Sequence, residues 1–229
     1  MLVECHASTL SSWFWCGRKA VEQLHGVYPK WKSGALVRGG EVHGWLEGRP
    51  KGERERELAG RLESFKVASK FREGRFFHRV FQDFDVYGAV DDFVLESPDL
   101  FRIIEHKTIA RPERAVKKWY VSPYVFQVQL YCWILEPTLK ELGLKLAWEH
   151  FLYWHDSASA LPAHCPTCQQ LIPCTVVQPD GVGVERQLEV IRRAYSDPKE
   201  IVYPTIAWKC ERCDEIYREK CPRGNAVLG

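Results

Sequence analysis

Phe76-Phe-His-Arg-Val-Phe81, Val86-Tyr-Gly-Ala-Val-Asp-Asp-Phe-Val-Leu95 and Leu100-Phe-Arg-Ile-Ile-Glu-His-Lys-Thr-Ile109 are three runs dense in β-branched and aromatic residues. Turn formers separate them, Asp83 to Asp85 first and Ser97-Pro98-Asp99 second. Runs of this length and texture between such turns read as strands, and the spacing predicts a three-stranded antiparallel meander. Side chains alternate along a strand, so Glu105 and Lys107 share one face of the third run. Asp91, in the second run, can reach that face across the hairpin.

Outward from this centre, Ser8 to Leu24 reads as a helix, with Ser8 or Ser11 as N-cap and Gly26 as its stop. Short helical stretches follow at 41–46 and, with an exposed amphipathic pattern, at 51–73. Downstream, a long helix is expected from about Ser122 to Leu142, opened by Pro123 in its first turn and closed by Gly143. Residues 145–154 and 174–178 read as a further strand pair, and Val184 to Tyr195 as a final amphipathic helix. Helices and strands thus share the chain.

Two carboxylates converging on one spot repel each other unless a hard cation lies between them, and Mg²⁺ or Mn²⁺ takes oxygen ligands of this kind. A lysine beside them can orient or deprotonate a water, or offset charge developing on phosphate. The composition of Asp91, Glu105 and Lys107 therefore describes metal-assisted phosphodiester hydrolysis. An acidic–x–Lys triplet alone is weak, since Asp197-Pro-Lys199 repeats it in a loop. Order and context add weight: His43 upstream, and Gln127 and Tyr131 four apart on one face of the long helix.

This ordered set resembles the RecB-like branch of the PD-(D/E)xK nuclease superfamily, over residues 8–221. The matching elements are Gly40-Glu-Val-His43, Gly88-Ala-Val-Asp91, Glu105-His-Lys107 and Gln127-Val-Gln-Leu-Tyr131. The resemblance implies a restriction-endonuclease-like α/β fold, with a central mixed β-sheet flanked by helices. It implies His43, Asp91 and Glu105 as metal ligands, the carbonyl of His106 as a fourth, Lys107 as catalytic lysine, and Gln127 and Tyr131 completing the pocket. Each residue also has an ordinary reading: His43 as a structural histidine, Tyr131 as core, Asp91-Asp92 as a strand-edge turn.

Nine cysteines are the unusual entry in the composition. The first residues lack a signal-peptide pattern, so the cytoplasm is the expected compartment and metal binding outranks disulfides. Cys210-Glu-Arg-Cys213 and Cys221 need one more ligand for a closed site, and Cys16 can supply it. One cysteine near the start and three near the end resemble the iron–sulfur subgroup of RecB-like nucleases. That subgroup includes the CRISPR-associated exonuclease of the fourth Cas family and the AddB-type repair nucleases, although the interval from Cys213 to Cys221 is longer than their pattern. The resemblance implies a cluster, 4Fe–4S ahead of 2Fe–2S, with Zn²⁺ in the same ligands as the alternative. A second group, His164, Cys165, Cys168 and Cys174 with His155 nearby, reads as a zinc knuckle, a disulfide or buried thiols. The chain thus divides into an N-terminal helical part (8–50), a nuclease core (74–178), a possible zinc loop (155–175) and a cluster tail (200–221), all in one domain of 229 residues.

A net charge of +2 excludes a global basic field, so any DNA path is local. Arg111, Arg114, Lys117 and Lys118 follow the Glu-x-Lys run and could track phosphates, with Trp119 and Tyr120 stacking on unpaired bases; an ordinary solvated helix start is the alternative. The longest charge-free run, 119–135, contains Ser122, Pro123, Gln127 and Gln129 and is a poor membrane span. One Met and one Asn amid many charges suggest a thermophilic source. The resemblance implies exonuclease action on single-stranded DNA ends, with the CRISPR integrase complex as partner in spacer acquisition. The alternatives are a stand-alone repair or viral nuclease, and a catalytically inactive, metal-stapled DNA-binding subunit.

Overall fold

The computed structural model describes residues 2–29, 53, 56, 77–109, 117–156, 174–203, 210, 213 and 215–221. The chain opens with β1 (Val3–His6), α1 (Ala7–Ser11), a 3₁₀ turn (Ser12–Phe14) and α2 (Gly17–Leu24). Four strands follow, β2 (Phe77–Phe81), β3 (Phe84–Gly88), β4 (Asp92–Ser97) and β5 (Leu100–Ile109), then the long helix α3 (Lys118–Glu141). β6 (Lys145–Leu146), β7 (His150–Asp156), β8 (Cys174–Val177), α4 (Gly181–Ser196), a 3₁₀ turn (Pro198–Glu200) and α5 (Glu215–Arg218) complete it.

The expected mixed α/β architecture is present, but the meander is not. The middle run divides after Gly88, and its halves enter different sheets: β3 lies between β1 and β2, while β4 pairs antiparallel with β5. The break follows a glycine at a close approach. A Cβ on Gly88 would sit 2.7 Å from Cε1 of Tyr131 and 3.1 Å from Cβ of Ala7, so β3 passes hard against α3 and the start of α1. The chain then turns through Asp91 before pairing resumes at Asp92.

The larger sheet runs β4-β5-β7-β8, with β6 also on β5. β5 and β7 are parallel, from Ile104 opposite Phe151 to Ile109 opposite Asp156. Parallel neighbours need a crossover connection, and α3 lies within it. This helix begins four residues before Ser122, so Pro123 is internal rather than in the first turn. The Ser122 hydroxyl donates to the Lys118 carbonyl (2.7 Å), and the interior apolar positions from Val128 to Leu135 outweigh the missing proline N–H. Its end is as expected, with Gly143 at φ +71° accommodating the left-handed turn.

The single N-terminal helix expected from Ser8 is three pieces behind a strand that the sequence reading missed. His6, not Ser8 or Ser11, caps α1, and Cys16 in extended backbone precedes α2. The interruption lets the chain approach residues 201–203: a Cβ on Gly17 would stand 2.6 Å from the Val202 carbonyl oxygen. Gly26, at φ +80°, ends the segment as expected. One apolar core joins these elements, from Leu10 and Phe84 through Leu130 and Ile134 to Leu188 and Ile191. Of the segments expected to be helical at 41–46 and 51–73, only Glu53 and Arg56 fall within the described residues, and both are helical and exposed. No helix among the described residues is long and apolar enough to cross a membrane.

Candidate active site

Alternation along β5 places Glu105 and Lys107 on one face and Ile104 and His106 on the other. On the first face the Glu105 carboxylate, almost fully buried, forms an ion pair with the Lys107 ammonium. Asp91 enters from the turn before β4, where its Oδ2 accepts the backbone N–H of His106 at 2.9 Å. That bond fixes the second carboxylate against the strand that carries the first.

α3 supplies the wall. Gln127 and Tyr131 are one helical turn apart, and Gln127 Nε2 donates to the Tyr131 hydroxyl at 2.6 Å. Burial pushes the Tyr131 hydroxyl well above the ordinary tyrosine range, and the Glu105 and Asp91 carboxylates push it the same way. The phenol therefore stays protonated and faces both acids. Burial alone would lower Lys107, yet the charges of Glu105 and Asp91 and the hydrogen bond to Glu105 leave it above the ordinary lysine value. An ammonium in this position orients and neutralises rather than abstracting a proton.

Sequence reasoning missed two neighbours. The Tyr124 ring, one turn before Gln127 on α3, lies 5.8 Å from Lys107 Nζ; an aromatic in so apolar a helix reads as core. His6, at the end of β1, lies within reach of the Lys107 charge. No local pattern announces it, because a four-residue parallel strand pairing with β3 from about eighty positions away leaves no periodicity to read.

Asp91, Glu105, Lys107, Gln127 and Tyr131 are thus brought together, whereas His43 lies outside the described residues. Among the described residues no three His, Cys, Asp or Glu side chains group closely enough to hold a metal ion. The chemistry of the donors still suits a hard divalent cation: two carboxylates and no sulfur, beside a buried phenol. His106 turns its ring away from this face. Its Nδ1 lies 2.8 Å from Nε2 of His155, which is buried at the end of β7. Lys117 and Lys118 stand exposed at the start of α3, while Arg111 and Arg114 lie outside the described residues.

The tail docks on the N-terminal helices. The Tyr217 hydroxyl donates to the Val27 carbonyl (3.2 Å), Lys220 pairs with Glu22 (2.8 Å), and the Lys19 ammonium lies 5.5 Å from the Tyr217 ring centroid. Burial raises the Cys16 thiol, backbone N–H groups of Lys19 and Arg18 oppose this, and the neighbouring Cys221 and Cys210 raise it further. The first and last cysteines of the proposed set therefore lie within electrostatic reach. Cys210, Cys213 and Cys221 are all partly buried thiols. Of the second group, only Cys174 is described, exposed at the first position of β8.

No protein-family model matches the chain. No curated protein matches it either. Solved structures do. The fold is similar to that of SSO0001, with 15% identity, a TM-score of 0.52, and coverage of 97% of this chain and 87% of that one. An exonuclease candidate from Eubacterium rectale aligns at 15% identity and a TM-score of 0.48, covering 93% of this chain and 83% of that one. An alkaline exonuclease from Laribacter hongkongensis aligns at 14% identity and a TM-score of 0.43, covering 87% and 91%. At such identities the likeness to SSO0001 is one of fold alone.

Proposed function

We propose that the chain is a metal-dependent deoxyribonuclease acting on single-stranded DNA ends. The observation that carries this reading is the convergence of Asp91, Glu105 and Lys107 under the Gln127–Tyr131 pair. Asp91 and Glu105, with His43 and the His106 carbonyl, would hold Mg²⁺ or Mn²⁺; such an ion supplies activation of a water and neutralisation of phosphate charge. Around it, Lys107 donates toward the scissile phosphate, and Tyr131 and Gln127 form a donor-bearing wall that keeps the substrate in line. Lys117 and Lys118, with Arg111 and Arg114, would conduct the strand to this point.

In the same reading, Cys16, Cys210, Cys213 and Cys221 hold an iron–sulfur cluster, 4Fe–4S ahead of 2Fe–2S, that staples the tail to the N-terminal helices. The docking of Tyr217 and Lys220 and the proximity of Cys16 to Cys210 and Cys221 support it. His164, Cys165, Cys168 and Cys174 would form a separate zinc site. Trimming of new spacers for the CRISPR integrase is the proposed context, by the resemblance alone.

End-labelled single-stranded DNA incubated with Mn²⁺ tests the central claim. Progressive shortening that vanishes in Asp91→Ala is expected; shortening that persists unchanged in the variant sinks it. A brown protein whose visible absorption bleaches in Cys213→Ala is expected for the cluster, and a colourless anaerobic preparation holding stoichiometric zinc defeats that part.

A further inference from the structure

We propose that Tyr124 is a positioning residue for Lys107, its ring holding the ammonium toward the scissile phosphate once Glu105 has turned to a metal ion; the inference rests on the nuclease reading. Lys107 Nζ lies over the Tyr124 ring, 5.8 Å from its centroid, within the range at which the negative face of an aromatic attracts a cation. Backbone register makes the placement. Lys107 of β5 stands opposite Trp154 of β7, so both side chains share the sheet face that Tyr124 meets from α3. The ring is braced on two sides. Tyr124 stands edge-to-face with Trp154, centroids 5.3 Å apart at 86°, and with Trp15, 5.9 Å apart at 74°. The Trp154 indole is itself pinned, its Nε1–H donating to the Thr175 hydroxyl at 3.0 Å, and the Trp15 backbone N–H donates to the Ser12 carbonyl at 2.9 Å. Two near-perpendicular neighbours fix the plane of Tyr124, so the ring is oriented before substrate arrives.

Lys107 needs a second hold because its first one has another duty. Without a metal the ammonium pairs with Glu105. A carboxylate that gives its oxygens to a divalent cation holds an ammonium less strongly, and the cation repels it. The flexible four-carbon stem can then swing toward solvent, where 18% of the side chain already lies. The Tyr124 ring attracts the ammonium whether or not Glu105 is engaged. Being neutral, it adds no anion for the metal to contest. A tyrosine present only to fill space would need its volume and not its electron-rich face.

Volume and face can be separated experimentally. Tyr124→Phe keeps both and removes only the hydroxyl. Pentafluorophenylalanine introduced in place of Tyr124 keeps the shape of that ring and reverses the charge distribution on its face. Steady-state degradation of end-labelled single-stranded DNA with Mn²⁺ is measured for the full chain and both variants, with Asp91→Ala as control. DNA affinity with Ca²⁺ in place of Mn²⁺, and thermal melts, are measured alongside. A cation over an aromatic face is worth roughly 2- to 30-fold, according to how far it is desolvated. Tyr124→Phe is expected to keep kcat within about twofold, and the fluorinated ring to lower it about tenfold, with KM, DNA affinity and Tm each within about twofold. Wild-type kcat with the fluorinated ring, while Asp91→Ala is inactive, overturns the assignment and leaves the nuclease reading standing. A full loss already in Tyr124→Phe also overturns it, because the hydroxyl is then the acting group. So does a loss that follows Tm or DNA affinity, which marks packing or a base contact. Undiminished activity in Asp91→Ala instead removes the reading on which the role of Tyr124 depends.

Discussion

The candidate active site and the docked tail both join residues far apart in sequence, by different means. Around Glu105 the join is mostly backbone: β5 is paired on both sides, and the Asp91 carboxylate adds one bond from a main-chain N–H of that strand. At the tail it is made of side chains, Tyr217 to Val27 and Lys220 to Glu22. Backbone pairing sets position through register, and one substituted side chain leaves it intact. A side-chain clasp is only as strong as its few contacts, and an exposed ion pair contributes little. The site should therefore lose chemistry under mutation while keeping its fold, and the tail should lose attachment.

The sharpest break between the two is Asp91→Asn. The amide oxygen can still accept the His106 N–H, but the negative charge is gone. DNA degradation should fall by about 10³-fold with Tm little changed, the scale on which a group acting directly in the reaction is felt. A large drop in Tm instead would show that the carboxylate is chiefly a structural anchor.

Next in size is a pH effect in the sheet that carries the site. His150, wholly buried at the start of β7, accepts the Ile103 N–H at 3.0 Å. Burial and then the Arg102 charge lower it to about 4 from an ordinary 6.5, against a smaller opposing pull from Glu96. The unfolded chain binds the proton more readily, so this contribution is complete above pH 6.5 and is lost as pH falls toward 4. About 3 kcal/mol is at stake. Urea unfolding at pH 7 and pH 4.5 should show the fall in wild type and a smaller one in His150→Asn, which keeps an acceptor for Ile103; His6, also lowered to about 4, supplies part of the remainder.

Gly88→Ala comes third. Its methyl would be driven into the Tyr131 ring, at an expected cost of about 1–3 kcal/mol. Activity should fall with it, because Tyr131 and Gln127 move as a pair. Preserved activity and stability would mean that α3 yields more easily than the packing implies. At the tail, Tyr217→Phe should cost about 1 kcal/mol for the hydrogen bond lost to Val27. Lys220→Ala should cost less still, because Lys220 is half-exposed and the buried Glu22 carboxylate keeps its second partner, Arg18, at 2.7 Å. Limited proteolysis, with tail release as the readout, distinguishes loosening from global unfolding.

What was legible in the sequence was local. Period two placed Glu105 and Lys107 together, and a spacing of four placed Gln127 with Tyr131, because strands and helices impose those repeats on any side chains they carry. Gly143 and Gly26 announced their helix ends through conformational freedom. What was not legible depended on pairing at a distance. The division of 84–97 between two sheets follows Gly88, which packs against Tyr131 more than forty residues away, and nothing inside the run reports it. The parallel pairing of β1 with β3 is equally silent. Reading Ser8 to Leu24 as one helix failed because hydrophobic periodicity persists across a break imposed by the later segment at Val202.

The wide sequence span of the site also bears on when the molecule becomes competent. Asp91, Glu105 and Tyr131 must all be in place, and β5 is not paired on its β7 side until His150–Asp156 has been made. Long-range parallel pairing forms slowly, and domains emerge from synthesis starting at the N-terminus. A growing chain therefore carries no assembled candidate site through the first half of its synthesis. Competence arrives late, together with a nearly finished fold.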